Sequence, residues 1–135
     1  MRKHVAIFTK KAVEQIFKGK KTLETRFSEK KISPFGDVSV GDLVYVKPVG
    51  EDIKGQFIIS KVISIEGLNE GDWQMIKEKF WDKISLGNTQ LDQKFIAQHK
   101  QAKFVTLVFI SKVEQFLTSP INFRKKDRRG WLVLD

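Results

Sequence analysis

The segment KFVTLVFISKVEQF, at residues 103–116, constrains the fold of this chain more than any other stretch. It is rich in β-branched and aromatic residues, and both of its faces are apolar as far as Ile110. A strand with this composition is typical of a sheet that is packed on both sides. We therefore expect residues 103–116 to form a central strand that the rest of the chain covers on both faces.

Shorter strand and helix patterns surround this segment. Further strands are predicted at residues 4–9, 22–27, 43–48, 56–67 and 131–134. Helices are predicted from Lys10 to a stop at Gly19, at residues 72–84, and after an N-cap at Thr89. Short strands separated by turn signals indicate a small, mostly antiparallel β-barrel, and the inserted helices make the fold class α+β. No linker or internal repeat interrupts the pattern, so we expect one domain over residues 1–135.

The sequence contains no pattern that indicates a metal site, a cofactor site or a membrane span. It has no cysteine, and its two histidines, His4 and His99, lie far apart, so no disulfide and no metal site are expected. No glycine-rich phosphate loop is present, and no cofactor is predicted. No apolar run approaches the roughly 18 residues that a membrane span needs, and the N-terminus does not read as a signal peptide. These features favour a cytoplasmic location.

The net charge of +9 is concentrated at the two ends of the sequence. Residues 1–30 carry +6 and residues 121–135 carry +3, whereas residues 31–120 are neutral overall. If the fold brings the two ends together, they form one basic face suited to a polyanion, most simply nucleic acid. If the two basic ends serve only solubility, their charge does not indicate a binding partner.

The segment FRKKDRRGW, at residues 123–131, interleaves aromatic and basic side chains. This composition suits single-stranded nucleic acid, because bases stack on aromatic rings while Lys and Arg hold phosphates. The alternative is a solvated loop with Trp131 in the core. The residues predicted to contact nucleic acid are Lys10, Lys11, Lys20, Lys125, Lys126, Arg128 and Arg129.

The octapeptide GKKTLETR, at residues 19–26, groups two cations and a carboxylate at the start of a predicted strand. Glu24 and Arg26 are two residues apart and therefore share a face of that strand, while Lys21 lies at the turn that leads into it. Facing solvent, they would form a weak surface ion pair. Facing a barrel mouth, they would need each other or a ligand.

The pattern G-x-K-x-x-E-x-R, formed by Gly19, Lys21, Glu24 and Arg26, resembles the signature of the ASCH domain family within the PUA-like fold. The strand and helix before it, the segment VGDLVYVK after it and the final strands also resemble this family, so the likeness covers essentially the whole chain. The resemblance implies a PUA-like pseudo-barrel with packed helices and a cleft that handles RNA or a modified nucleotide. Lys21, Glu24 and Arg26 would bind the ligand there.

Two enzymatic alternatives follow from the same resemblance. Amidohydrolases that deacetylate N4-acetylcytidine are similar around this motif, with Lys21 matching their lysine, but Glu24 stands where they have a threonine. A carboxylate does not replace a hydroxyl nucleophile. A ribonuclease could use Lys21 and Glu24 as catalytic groups. A barrel that binds other proteins is a further alternative.

Phe35 lies on the turn SPFG beside the predicted cleft. It could stack on a base as a ligand contact, or it could close the end of the barrel.

Overall fold

The computed structural model describes residues 1–85, 87–124 and 128–134, which form six strands and three helices. In chain order these elements are β1 (Lys3–Phe8), α1 (Lys10–Phe17), β2 (Leu23–Ser28), β3 (Leu43–Pro48), β4 (Gly55–Glu66), α2 (Glu70–Ile84), α3 (Thr89–His99), β5 (Phe104–Gln115) and β6 (Trp131–Leu134).

The strands form one curled sheet in the order β2-β5-β4-β3-β1-β6. Only the pairing of β1 with β3 is parallel, and every other neighbouring pair among the described strands is antiparallel. The parallel pair is possible because α1 and β2 lie between these two strands in sequence and provide the crossover. The predicted α+β class and mostly antiparallel barrel are thus confirmed, as a half-barrel with one parallel pair.

Two large apolar clusters lie on opposite faces of the sheet. The inner cluster includes Phe57 and Val108, and α1 adds Val13 and Ile16 to it. The outer cluster lies between the sheet and helices α2 and α3, and Leu107 belongs to it. Strand β5 therefore contributes alternate residues to both clusters, as its two apolar faces predicted.

Two details of the helices differ from the expectation. Helix α2 begins at Glu70 rather than residue 72, because Asn69 caps it and forms a capping box with Asp72. The N-cap of α3 is Asn88 rather than Thr89. Asparagine is a preferred N-cap. In both helices it precedes the position that the apolar pattern marks as the helix start.

The two basic ends of the chain are adjacent in space. Strand β1 pairs antiparallel with β6, and Lys3 lies opposite Leu134. None of the helices in the described part of the chain has the length and apolarity needed to cross a membrane.

Candidate functional site

The octapeptide folds as a helix end, a turn and the first half of β2. Helix α1 ends with Lys18 as C-cap, and Gly19 follows in the left-handed conformation, with φ +73°. The backbone amides of Lys20 and Lys21 both donate to the carbonyl of Gln15, at 2.9 and 3.1 Å. This turn fixes Lys21 at the entrance of β2.

Strand β2 then sends its side chains to opposite faces of the sheet. Leu23 and Phe27 pack in the outer cluster, and Glu24 and Arg26 project from the other face. The predicted alternation of this strand is therefore what brings the two charged side chains together.

Glu24 has four hydrogen-bonding contacts, two on each carboxylate oxygen. Oε1 accepts from the Thr25 amide at 3.1 Å and from Lys21 Nζ, also at 3.1 Å. Oε2 accepts from Arg26 Nε at 3.0 Å and from Arg26 Nη2 at 2.9 Å. A carboxylate has about four lone-pair positions, so the acceptor capacity of Glu24 is fully used inside the protein.

The charges around Glu24 keep it ionised. Burial, the largest single influence, raises the pKa of Glu24, but the charges of Arg26 and Lys21 and their hydrogen bonds together outweigh it. The pKa of Glu24 therefore lies below its ordinary value.

Arg26 joins the two ends of the curled sheet. It belongs to the edge strand β2, yet its Nη2 donates to the carbonyl of Ile7 in β1 at 2.9 Å. Its Nη1 donates to the carbonyl of Gly130, immediately before β6, at 3.1 Å. The guanidinium also lies over the rings of Phe8 and Trp131, at 5.1 and 5.3 Å from their centroids. Arg26 thus has a structural task in addition to orienting Glu24.

A cavity of about 280 Å³ opens beside the motif, and we call it the motif cavity. Its charged lining residues are Lys21, Glu24 and Arg26, and the remaining wall is largely apolar. Across the described part of the chain, the Lys21 ammonium has only Glu24 as an ion-pair partner. An ammonium has three N–H donors, so Lys21 retains donors for a ligand.

A second cavity, of about 400 Å³, adjoins the first and shares Lys21, Thr9, Ala12 and Ile84 with it. Four of its lining residues are lysines, and none of its described lining residues is acidic; we call it the lysine compartment. The lysines are Lys11 on α1, Lys20 and Lys21 after it, and Lys83 near the end of α2.

Phe35 lines a third, smaller cavity of about 150 Å³ on the far side of Arg26, together with Trp131. Its ring packs edge-on against Phe104, with centroids 5.0 Å apart, and Lys31 Nζ lies 5.7 Å from its centroid. Phe35 therefore has packing contacts and also a surface that faces a cavity. Its role as a ligand contact stays a prediction.

The predicted nucleic-acid contacts do not all lie together. Lys11 and Lys20 line the lysine compartment, whereas Lys10 lines a different groove and pairs with Glu51 at 3.4 Å. Arg128 and Arg129 are exposed just before Gly130 and Trp131, which line the Phe35 cavity. Lys125 and Lys126 lie outside the described residues.

Lys83 is the charged cavity residue that sequence reasoning missed. It lies on a helix far along the chain from the motif, and no local pattern distinguishes it from the other lysines of α2. Only the packing of α2 on the sheet brings it to the compartment.

A second buried carboxylate network lies elsewhere in the barrel. Asp42 accepts from His4 Nε2 at 2.8 Å and from the amides of Arg2 and Ser39, each at 3.0 Å. The other ring nitrogen of His4 accepts from Trp131 Nε1 at 3.1 Å. Burial, the largest influence, raises the pKa of Asp42, but these hydrogen bonds outweigh it and the pKa is lowered. Among the described residues, no group of three potential metal-ligating side chains converges.

His99, the other histidine, packs against aromatic rings. Its ring stacks on Phe27 with centroids 4.8 Å apart, and burial lowers its pKa. Both histidines are thus part of the packing of the protein.

No protein-family model matches the sequence, and neither does any curated protein. Solved structures, in contrast, are similar in fold. The ASCH protein of Zymomonas mobilis is 11% identical over 84% of this chain and 69% of its own, with a TM-score of 0.61. A serine-to-alanine variant of that protein is 10% identical over 98% of this chain and 88% of its own, with a TM-score of 0.67.

The hypothetical protein PH0355 is also similar, with 13% identity over 83% of this chain and 97% of its own and a TM-score of 0.55. These likenesses confirm, at the level of the fold, the resemblance that the motif predicted. The chain has an ASCH-type fold.

Proposed function

We propose that this protein binds RNA or a modified nucleotide in the motif cavity and the lysine compartment. The observation that carries the proposal is Lys21, which lines both cavities and keeps donors available while Glu24 holds its ammonium at 3.1 Å. A positively charged groove beside an apolar cavity suits a ligand with phosphates and a base.

The contacts of Glu24 indicate which ligand groups this site favours. Because Lys21, Arg26 and the Thr25 amide already occupy its acceptor positions, Glu24 orients the cations rather than binding a donor on the ligand. The contacts of Arg26 use four of its five N–H donors, so most of the charged donors that remain available belong to lysines. The site therefore favours acceptor groups, such as phosphate oxygens and base carbonyls.

The same contacts favour binding over hydrolysis. A general base needs a free lone pair and a proton affinity matched to its task. The pKa of Glu24 is lowered and its oxygens are engaged, so it is poorly placed to take a proton. A hydrolase of this fold stays the alternative function, to be recognised by a reaction product.

Two neighbouring lysines of α1 provide a matched test. Lys11 lines the lysine compartment, and Lys10 lines another groove and pairs with Glu51. Lys11→Gln and Lys10→Gln remove the same charge from the same helix. Anisotropy with a labelled single-stranded RNA, measured across a salt series with a duplex DNA control, compares them with the unmodified protein.

We expect the unmodified protein to bind RNA at roughly micromolar concentration near 50 mM salt, with affinity that falls steeply as salt rises. Lys11→Gln should weaken binding and reduce the salt slope by about 0.7, the value for one phosphate contact on a single strand. Lys10→Gln should change binding less. Equal effects of the two variants would contradict the assignment of the lysine compartment as an RNA-binding groove. Absence of RNA binding at low salt would favour a protein-binding barrel instead.

A further inference from the structure

We infer that the lysine compartment is a subsite for a terminal phosphate, so that the ligand is a nucleotide with a phosphomonoester rather than a nucleoside. This inference rests on the proposed function and specifies the ligand class of the same site. The base of that nucleotide occupies the motif cavity. The phosphate is carried either by a free nucleoside monophosphate or by the end of an RNA strand.

The charge of the compartment supports a phosphomonoester. Lys11, Lys20, Lys21 and Lys83 line a space of about 400 Å³; Glu24 pairs with Lys21, and the described lining residues themselves include no carboxylate. A phosphomonoester carries about −1.5 to −2 at pH 7 and offers three acceptor oxygens. An internal phosphodiester carries a single negative charge and would leave more of this positive charge uncompensated.

The walls of the compartment come from separate parts of the fold. Helix α1 provides Lys11 and Gln15, the turn after it provides Lys20 and Lys21, and the end of α2 provides Lys83 and Ser85. Lysines from three separate segments thus line the space, an arrangement that suits recognition of a dianion. Gln15 adds a neutral polar group to the same walls, whereas the Ser85 hydroxyl already donates to Asp92 at 2.6 Å.

The motif cavity fits the remaining part of a nucleotide. Apart from the charged trio, its wall is mostly apolar; Arg26 covers the face of the buried Phe8 ring, so Phe95 is the aromatic ring of this wall that a base can contact. Aromatic and apolar walls bind the flat face of a base. Because Lys21 lines both cavities, one ligand can place its base in the first and its phosphate in the second.

Lys83 provides the sharpest test because it lines the lysine compartment and is absent from the lining of the motif cavity. Lys77 is the matched control. It is an exposed lysine of the same helix and lines a groove toward α3 on the outer side. Lys83→Gln and Lys77→Gln therefore remove equal charge from α2.

The unmodified protein and both variants would be titrated with RNA of one sequence carrying a 5′-phosphate, a 3′-phosphate or hydroxyl ends. Inorganic phosphate, a nucleoside monophosphate and its nucleoside would compete against labelled RNA. We expect a phosphorylated end or the monophosphate to bind about tenfold more tightly than its unphosphorylated counterpart. Lys83→Gln should remove most of this difference, and Lys77→Gln should keep it.

The outcomes separate this inference from the proposed function. A preference confined to phosphorylated RNA, or to the free monophosphate, supports the subsite and identifies its source. RNA binding with no preference for a terminal phosphate and no effect of Lys83→Gln overturns the subsite but leaves the proposed function standing. Absence of any RNA or nucleotide binding overturns both. Thermal melting of each variant verifies that it is folded.

Discussion

Two buried carboxylates, Asp42 and Glu24, are each surrounded by hydrogen-bond donors, but they use different kinds of donor. Asp42 is bound by two backbone amides and by the ring of His4. Glu24 is bound by one backbone amide and by the cations of Lys21 and Arg26. Both carboxyl groups have lowered pKa values, so ionisation alone does not distinguish them.

What distinguishes the two networks is the donor capacity that is left over. Each backbone amide at Asp42 has one proton and has used it, and the second ring nitrogen of His4 is occupied by Trp131. At Glu24, Lys21 has spare donors and lines two cavities. We therefore assign the amide-held carboxylate of Asp42 to the stability of the fold, and we propose that Glu24 orients the partly exposed Lys21 for a ligand.

The largest effect we expect is on stability, from Arg26→Ala. The variant loses two hydrogen bonds to backbone carbonyls and leaves Glu24 with a missing partner in a buried setting. Loss of one member of such a pair should lower the free energy of unfolding by about 3–5 kcal/mol. Urea unfolding of the variant and of the unmodified protein measures this difference in the free energy of unfolding. Arg2→Ala, at an exposed pair with Asp37, should cost less than about 1 kcal/mol.

Asp42→Asn should also destabilise the protein, without an effect on RNA binding. The amide replaces one acceptor oxygen by a donor, so at least one of the three donors around Asp42 loses its partner. We expect about 1–3 kcal/mol from an unsatisfied buried group. Unfolding and RNA titration of the same sample measure both quantities. A loss of affinity in the folded variant would contradict the assignment of Asp42 to the fold.

Lys21→Gln should show the opposite balance, with weaker RNA binding and a smaller loss of stability than Arg26→Ala. Glu24 keeps Arg26 and the Thr25 amide, while the ligand loses a charged donor. We expect RNA binding to weaken by at least about tenfold, since a charged hydrogen bond contributes roughly 1.5–3 kcal/mol. Lys18→Gln is the control, because Lys18 forms an ion pair with Glu14 away from these cavities. Equal losses of affinity in the two variants would argue against a specific role for Lys21.

The smallest effect concerns pH. Because the pKa values of Glu24 and Asp42 are lowered in the folded state, each carboxylate stabilises the protein above its ordinary pKa. That stability is lost as the pH falls through the lowered values. The melting temperature of the unmodified protein should therefore decline below about pH 4.5. Glu24→Gln should flatten part of this decline, and an unchanged profile in that variant would contradict the lowered pKa of Glu24.

Local patterns predicted much of the site. Alternation along TLETRF placed Glu24 and Arg26 on one face, and Gly19 marked the end of α1. Both signals act within a few residues, so the sequence carries them directly. The two apolar faces of β5 likewise predicted its covered position in the sheet.

The contacts that define the task of each side chain were not predictable in this way. Arg26 reaches Ile7 and Gly130 only because the sheet curls, and Lys83 joins the lysine compartment only through helix packing. His4 and Trp131 are far apart in sequence and meet because β1 pairs with β6. Local periodicity contains no information on such distant pairings.

The measurement that tests this account most directly is a two-dimensional amide NMR titration with single-stranded RNA carrying a 5′-phosphate. Each network contains a backbone reporter, since the Thr25 amide binds Glu24 and the Ser39 amide binds Asp42. We expect the amides of Thr25 and Lys21 to shift on addition of RNA, while that of Ser39 stays in place. Shifts confined to the surroundings of Asp42, or spread evenly over exposed lysines, would contradict the assignment of the ligand site to the motif.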